Sequence, residues 1–471
     1  MLRIILEIMV VRGGWLRMEL TKELFVIPHE DRFILYAPLK KAVAEVNGDM
    51  IGLLKRVKAG ESIGDLEKRL DSLRQIGIVT DGETPIPNFV PERDYNPTAV
   101  TLIPTLDCNL RCKYCYSAAG EETGKIMDKE IAKAAIDFVV KNALDKNKKQ
   151  IELGFHGGGE PFLPQNMSLV QWAFDYFKDQ GENYNVQTLV SAVTNGVMSR
   201  KTLEWITSNF DEVSISFDGP EDIQNSQRPL KNGGKSFPSV LKTVEYLESI
   251  KFRYNLRSVI TQGSVSRMPE IVEFFNSIAP SIDHFTFEPL FECGRCDASN
   301  LISLDPYAKS PNPKDYVKYL IEARKTAAQF DKTARYACSD LEGVSNYFCS
   351  AVESGFFFVL PSGDVTSCLE ICRKSDSRSQ TFMIGKYDTH SKDFIFYMDR
   401  IATLRSRTVD KVSNCSDCFA KYNCAGDCPA RCYTESGSLF DTSKNRDRCE
   451  MAQGMVKQAL IDKLKGGDKN D

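Results

Sequence analysis

Between Val100 and Leu290 the chain alternates six short apolar runs with five amphipathic ones. The apolar runs are Val100–Ile103, Ile151–Phe155, Val186–Val193, Glu212–Phe217, Leu256–Thr261 and His284–Pro289. Helical periodicity fills Lys129–Leu144, Ser168–Lys178, Thr202–Asn209, Ser239–Ile250 and Pro269–Ile278 between them. Strands that alternate with helices this way build a parallel sheet with right-handed crossovers. Six units fall short of the eight of a closed barrel, so the fold class is α/β, with an open, partial (β/α)6 barrel. In such folds the chemistry gathers at the carboxyl ends of the strands.

The segment just after the first strand is Cys108-Asn-Leu-Arg-Cys112-Lys-Tyr-Cys115. Three thiolates at this spacing can wrap three corners of a cubane iron–sulfur cluster and leave the fourth iron open to a small molecule. The chain holds 15 cysteines, too many for an ordinary cytosolic enzyme and an odd number. With no signal peptide, a secreted disulfide framework fits poorly, and metal or cluster binding in a reducing cytoplasm fits better. A zinc site is the plain alternative.

The other strand ends are polar or glycine-rich. They carry His156-Gly-Gly-Gly-Glu160-Pro161, Thr194-Asn195-Gly196, Ser214-Ile-Ser216-Phe-Asp218-Gly219 and Gln227-Arg228-Pro229. Together with the cysteine loop, this order resembles radical S-adenosylmethionine (SAM) enzymes. The resemblance implies that Cys108, Cys112 and Cys115 hold a [4Fe-4S] cluster whose open iron binds SAM's methionine. It places Tyr114 near the adenine and Gly158, Gly159 and Glu160 at SAM's amino group. Gly157 competes with them, because this run has one glycine more than the family motif. It further places Thr194 and Asn195 near the ribose, Ser216 and Asp218 in the same pocket, and Arg228 at the carboxylate.

The carboxyl-terminal third holds a second pattern. Cys349 is followed by 13 residues, Gly363, 4 residues and Cys368. A hairpin is expected between them, from Phe356–Leu360 and Val365–Thr366. Farther on comes Cys415-x2-Cys418-x5-Cys424-x3-Cys428, then Cys449. This is similar to the seven cysteines of SPASM domains, the auxiliary-cluster extension of radical SAM enzymes. The resemblance assigns Cys415, Cys418, Cys424 and Cys449 to one auxiliary cluster and Cys349, Cys368 and Cys428 to another. For the fourth ligand of the latter, Cys338 is the upstream choice, Cys372 and Cys432 are rivals, and an open iron is a third option. Cys293-Gly-Arg-Cys296 fits neither pattern: two free thiols, a redox pair or an undefined site remain open.

Residues 19–82 read as a small unit. Leu24–Ile27 and Phe33–Tyr36 form a hairpin about His29-Glu-Asp-Arg32, Leu39–Val57 is helical by pattern, and a second helix from Ser62 ends at Gly77. The unit resembles the leader-peptide recognition domains fused to peptide-modifying enzymes. A structural extension is the alternative. Pro85, Pro87, Pro91 and Pro97 then mark a linker. The expected division is 1–95 amino-terminal domain and linker, 96–310 radical SAM core, 311–345 connecting helix (Asp315–Phe330), 346–455 SPASM domain and 456–471 tail.

Net charge is −4, which gives no reason to expect a nucleic-acid partner. The apolar stretch Met1–Val11 contains Glu7 and is too short to span a bilayer. Met18 is a plausible start. A soluble cytoplasmic enzyme is expected, with SAM and three [4Fe-4S] clusters, one SAM-binding and two auxiliary. The resemblance implies a ribosomally made precursor peptide as substrate and a flavodoxin or ferredoxin-type electron donor. The expected reaction is hydrogen abstraction by a 5′-deoxyadenosyl radical, leading to a thioether or carbon–carbon crosslink. No catalytic base stands out. Anaerobic sulfatase maturation is the enzyme alternative, but such enzymes place an aspartate directly after the cysteine matching Cys368, and here that residue is Leu369. A non-catalytic electron carrier or zinc scaffold is the alternative of another class, and Glu160 argues against both because neither needs a site for SAM's amino group.

Overall fold

The computed structural model describes residues 18–80, 94–121, 125–296, 305–337, 341, 343–353, 356–444 and 446–467. Contacts divide the chain into two units. One comprises Met1–Val90, Ala337–Phe348 and Thr408–Asp471, and the other Pro91–Tyr336 and Cys349–Arg407.

In the first unit, β1 (Glu19–Leu20) pairs with β5 (Val79–Thr80). The strands β2 (Phe25–His29), β3 (Arg32–Ala37) and β4 (Ala42–Val46) form an antiparallel sheet in that order. The expected hairpin is β2–β3. The helix expected over Leu39–Val57 is shorter, Gly48–Lys58, because Ala42–Val46 is strand. Val43 and Val46 fit a helical stripe, but backbone pairing with β3 takes them. Asn47 then starts the helix, its side chain accepting from Met50 N at 3.1 Å. The sheet buries both faces by its period of two. Leu35 and Val46 join Leu53, Leu54 and Leu73 on one side. Phe25, Ile27, Ile34 and Tyr36 join Phe419, Ala420, Val456 and Leu460 on the other, the last two from the helix Arg446–Gly467.

The second unit is built on an 11-stranded sheet of order β12-β11-β10-β9-β8-β7-β6-β13-β14-β15-β16. The six expected strands are β6 (Ala99–Leu102), β7 (Gln150–Phe155), β8 (Gln187–Thr194), β9 (Glu212–Ser216), β10 (Tyr254–Ile260) and β11 (His284–Pro289), all parallel. A seventh parallel strand, β12 (Thr333–Arg335), follows the helix Pro313–Ala328. At the other edge β13 (Phe358–Val359) pairs parallel with β6, and β14 (Asp364–Thr366), β15 (Met383–Asp388) and β16 (Asp393–Phe396) continue antiparallel. The hairpin expected in the cysteine-rich third is thus part of the barrel sheet.

One face of the parallel strands is apolar. Leu102, Leu153, Phe155, Ile215, Leu256, Phe285 and Phe287 are all buried, each worth about 2 kcal/mol of transfer free energy. The alternate residues Thr101, Gly154, Ser191, Ser214, Ser216 and Arg257 are partly or fully exposed on the other face. The helices Lys129–Asp145, Met167–Tyr184, Arg200–Asn209, Phe237–Ser249 and Met268–Ile278 supply the crossovers. Among the described residues no helix is long and apolar enough to cross a membrane.

Candidate active site

The Cys108–Cys115 loop leaves β6 and is tied down by its backbone. Arg111 N donates to Pro229 O at 2.8 Å, Lys113 N to Gln227 O at 2.9 Å, and Lys231 N to Asn109 O at 2.8 Å. The sulfurs accept hydrogen bonds of their own: Leu110 N and Asn195 Nδ2 reach Cys108 Sγ at 3.3 and 3.6 Å, and Ala119 N reaches Cys115 Sγ at 3.4 Å. Such donors favour thiolates over thiols and tune a cluster they ligate. With no ligand bound, burial pushes the Cys112 thiol up to about 11 and Cys108 higher still.

The glycine run after β7 presses against this loop. A side chain at Gly159 would place its Cβ 2.1 Å from Asp107 O, so only glycine fits. Glu160 N donates to Asp107 O at 2.8 Å. Tyr116 Oη and Ser117 Oγ donate to the Gly157 and Gly158 carbonyls at 2.9 and 2.6 Å. Gly157 is equally constrained, its Cβ position lying 1.7 Å from Gly159 O. Gly158 is tight as well, its Cβ position lying 2.5 Å from Leu106 Cδ2, so a side chain is excluded at all three glycines.

Glu160 is 3% exposed. Its carboxylate accepts from Thr194 Oγ1 at 2.7 Å, Asn195 N at 2.9 Å and Phe162 N at 3.2 Å. Burial nevertheless pushes its carboxyl up to about 7, the three hydrogen bonds working the other way. Thr194 and Asn195 thus position Glu160, and Asn195 also donates to Asn109 Oδ1 at 2.8 Å.

Asp218, after β9, is fully buried. It accepts from Gln227 Nε2 at 2.7 Å, Val259 N at 3.1 Å and the Tyr114 hydroxyl. Arg228 Nη1 donates to that hydroxyl at 2.8 Å and lies 3.8 Å from Asp218 Oδ1. Arg228 is buried, and among the described residues its Nε has no partner. Such an orphaned donor is a place for an anionic group. Gln227 was invisible as a functional residue in the sequence; its only signal was adjacency to Arg228. Ser216 ends β9 in register with Arg257. His156 is lowered to about 4 by burial, and the Arg257 cation acts in the same direction.

These residues fit SAM: Glu160 would hold an ammonium, Arg228 a carboxylate, and Cys108, Cys112 and Cys115 a cluster with one open iron. When bound, SAM on a reduced cluster supplies a 5′-deoxyadenosyl radical.

The remaining cysteines fall in both units. Cys349 and Cys368 belong to the barrel unit, and Cys415, Cys418, Cys424, Cys428, Cys432 and Cys449 to the other. Burial, with Asp427, Cys418, Cys415 and Cys432 as neighbouring acids, pushes Cys449 up to about 12. Gln453 Nε2 donates to Cys418 Sγ at 3.4 Å, and buried Asp427 pairs with Arg448 at 2.9 Å. Cys424, Ala425, Gly426, Asp427 and Cys428 form a tight left-handed passage, with positive φ at the three central residues. Cys338 lies outside the described residues. Cys372 is buried against the glycine run, 3.0 Å from the Cβ position of Gly158, and lines a cavity of about 390 Å³ together with Leu106, Asp364 and Arg373. Among the described residues no three His, Cys, Asp or Glu side chains converge on a single-ion site.

The Radical SAM superfamily model matches residues 102–275, which contain this whole constellation. The chain belongs to the radical SAM superfamily. An uncharacterized protein of Methanocaldococcus jannaschii is 32% identical over 253 residues, covering 50% of this chain and 83% of the relative. The cysteine-type anaerobic sulfatase-maturating enzyme of Clostridium perfringens is 25% identical over 228 residues, 45% of this chain and 55% of that enzyme. This radical SAM protein thus spans about half of that enzyme's length. Two solved structures share the fold. One, described as native anSMEcpe with bound AdoMet and Cp18Cys peptide, has a TM-score of 0.58 at 19% identity and covers 79% of this chain and 99% of that one. The other, Streptococcus suis SuiB bound to precursor peptide SuiA, has a TM-score of 0.51 at 15% identity and covers 90% and 98%. The fold is that of SPASM-type radical SAM enzymes.

Proposed function

We propose that this radical SAM enzyme matures a ribosomally made peptide, installing a thioether or carbon–carbon crosslink. The observation that carries the reading is the small sheet of the first unit, set beside a cysteine-rich segment in a chain whose other unit can hold SAM. Its order leaves β2 and β4 as edges. Pro28 removes a donor from β2, so β4 is the edge suited to an added peptide strand. The fold shared with SuiB, solved with its precursor peptide, supports a peptide substrate. On this reading Cys108, Cys112 and Cys115 hold the SAM-binding cluster, and Cys415, Cys418, Cys424 and Cys449 one auxiliary cluster. Cys349, Cys368 and Cys428 serve another, which takes electrons from the substrate radical. Residues 1–95 select the substrate, and the enzyme works in the cytoplasm with a flavodoxin or ferredoxin-type donor.

Sulfatase maturation is the second reading, favoured by the Clostridium perfringens relative. Leu369 counts against it; Glu370, which pairs with Arg378 at 3.4 Å, and Asp364, which pairs with Lys374 at 3.0 Å, are the two substitutes for the missing base. Anaerobically reconstituted enzyme, SAM and dithionite are incubated with short peptides encoded beside the gene, and with a sulfatase peptide. A crosslinked product by tandem mass spectrometry from the neighbouring peptide supports the proposal. Formylglycine in the sulfatase peptide, with the neighbouring peptides unchanged, replaces it with the second reading.

A further inference from the structure

Cys293-Gly-Arg-Cys296 has no part in either cysteine pattern, yet the structure sets it against the cluster loop. It follows β11 as a single tight turn, Gly294–Cys296. Arg295 N donates to Cys115 O at 3.0 Å. Its guanidinium donates from Nη1 to Cys112 O at 2.6 Å, from Nη2 to Ala119 O at 2.8 Å and from Nε to Glu121 Oε1 at 3.0 Å. The side chain is 12% exposed. Gly294 sits at φ +61°, and a Cβ there would lie 2.2 Å from Tyr116 O and 2.5 Å from Cys115 O. The two thiols turn inward and are buried: Cys296 packs with Tyr114, Leu290 and Ala308, and its Sγ points to Cys293 O at 3.4 Å.

We propose that this turn is a clasp on the Cys108–Cys115 loop, with Arg295 a positioning residue for the SAM-binding cluster and the two cysteines its apolar anchors. The proposal rests on the reading of Cys108, Cys112 and Cys115 as ligands. Arg295 binds the carbonyls of two of these three cysteines and of Ala119, beyond the third. Three donors on one planar fork fix the relative positions of their acceptors, which an ammonium on a flexible stem does not. Gly294 is what allows the turn close enough. The same Arg295 guanidinium, although ion-paired with Glu121 through Nε, turns its Nη1 end to Cys112 and so sets positive charge beside it. A nearby cation favours the more negative, reduced state of a cluster, whose potential depends on surrounding charge and hydrogen bonds.

The test has two arms. In the cluster-free full chain, Arg295→Gln raises amide exchange of residues 108–121 at least tenfold while β7 and β8 are unchanged. In the reconstituted chain, dye-mediated EPR titration with dithionite shows the SAM-binding cluster of Arg295→Gln about tenfold harder to reduce, or about 59 mV lower for one electron. Arg295→Lys restores the potential but not the slow exchange. Wild-type exchange and wild-type potential in Arg295→Gln overturn the proposal. If Arg295→Gln is insoluble, Gly294→Ala is read by the same exchange measurement, and wild-type exchange there overturns it. The ligand reading fails separately: a Cys108/Cys112/Cys115→Ala chain that keeps the SAM-responsive EPR signal refutes it, whereas the exchange arm needs no cluster.

Discussion

Replacing Glu160 by Gln tests the SAM pocket through its proton. The folded carboxyl is raised to about 7 from an ordinary 4.5, chiefly by burial. Between those values the folded chain keeps a proton that the unfolded chain has released. Stability therefore falls as pH rises through this window, and the loss is complete above the folded value. A shift of this size corresponds to about 3 kcal/mol. Glutamine does not titrate, so the variant gains about 3 kcal/mol relative to wild type between about pH 5 and about pH 8. Denaturant unfolding of cluster-free protein at several pH values measures this difference. SAM binding should run in the opposite sense. An ammonium group favours the ionised carboxylate, so wild-type affinity tightens as pH rises toward 7 and then flattens. Glu160→Gln abolishes that dependence and costs about 2 kcal/mol, or about thirtyfold in affinity, through the lost charge-assisted hydrogen bond. A wild-type-to-variant stability difference that stays flat with pH, or SAM affinity that weakens as pH rises, refutes the reasoning.

Three further outcomes follow. Reconstituted protein should bind about twelve irons, the content of three cubanes, and the Cys108/Cys112/Cys115→Ala chain about eight with no 5′-deoxyadenosine formed; zinc in place of the remainder would remove the auxiliary assignment. Tyr114→Phe takes the donor from Asp218 and the acceptor from Arg228, so SAM affinity drops about fivefold, about 1 kcal/mol, with iron content unchanged; equilibrium dialysis decides. Precursor peptide should slow amide exchange in β4 and not in β2, and equal protection of both edges would exclude strand addition at β4.

The barrel was legible because its strands are short, apolar and separated by helices of unbroken period. β12 was not: Thr333-Ala-Arg335 has three residues, two of them exposed, and only its position beside β11 makes it a strand. β4 was misread because Val43 and Val46 satisfy a helical stripe as well as a strand face, and periodicity alone does not choose between them. At the site, Glu160, Asp218 and Arg228 were legible because they stand in motifs that follow the strand ends and resemble those of radical SAM enzymes. Gln227 did not, because a buried glutamine earns its role only through three-dimensional partners: it donates to Asp218 and to Val259 O and accepts from Thr261. Arg295 stayed hidden for the same reason, since it binds two backbone carbonyls and a glutamate far away in the chain, none of which leaves a mark in sequence.

Deleting residues 1–82 is the obvious test of peptide recognition, and from sequence it should leave uncoupled SAM cleavage largely intact. The packing changes that expectation for the carboxyl-terminal cluster. Phe25, Ile27, Ile34 and Tyr36 share a core with Phe419, Ala420, Val456 and Leu460, and Cys418 packs against it. At about 2 kcal/mol per large side chain, uncovering this face costs several kcal/mol. Lys421, 3% exposed, pairs with Glu23 at 2.8 Å, and Tyr36 donates to Asn423 at 3.0 Å. Both partners sit between Cys418 and Cys424, so the deletion strips polar and apolar support at once from a segment proposed to ligate the auxiliary cluster. The deleted chain should therefore lose auxiliary iron before any question of peptide binding arises. Iron analysis and thermal unfolding of the truncated protein measure this; full auxiliary iron with an unchanged unfolding temperature would show that the amino-terminal sheet is a detachable module after all.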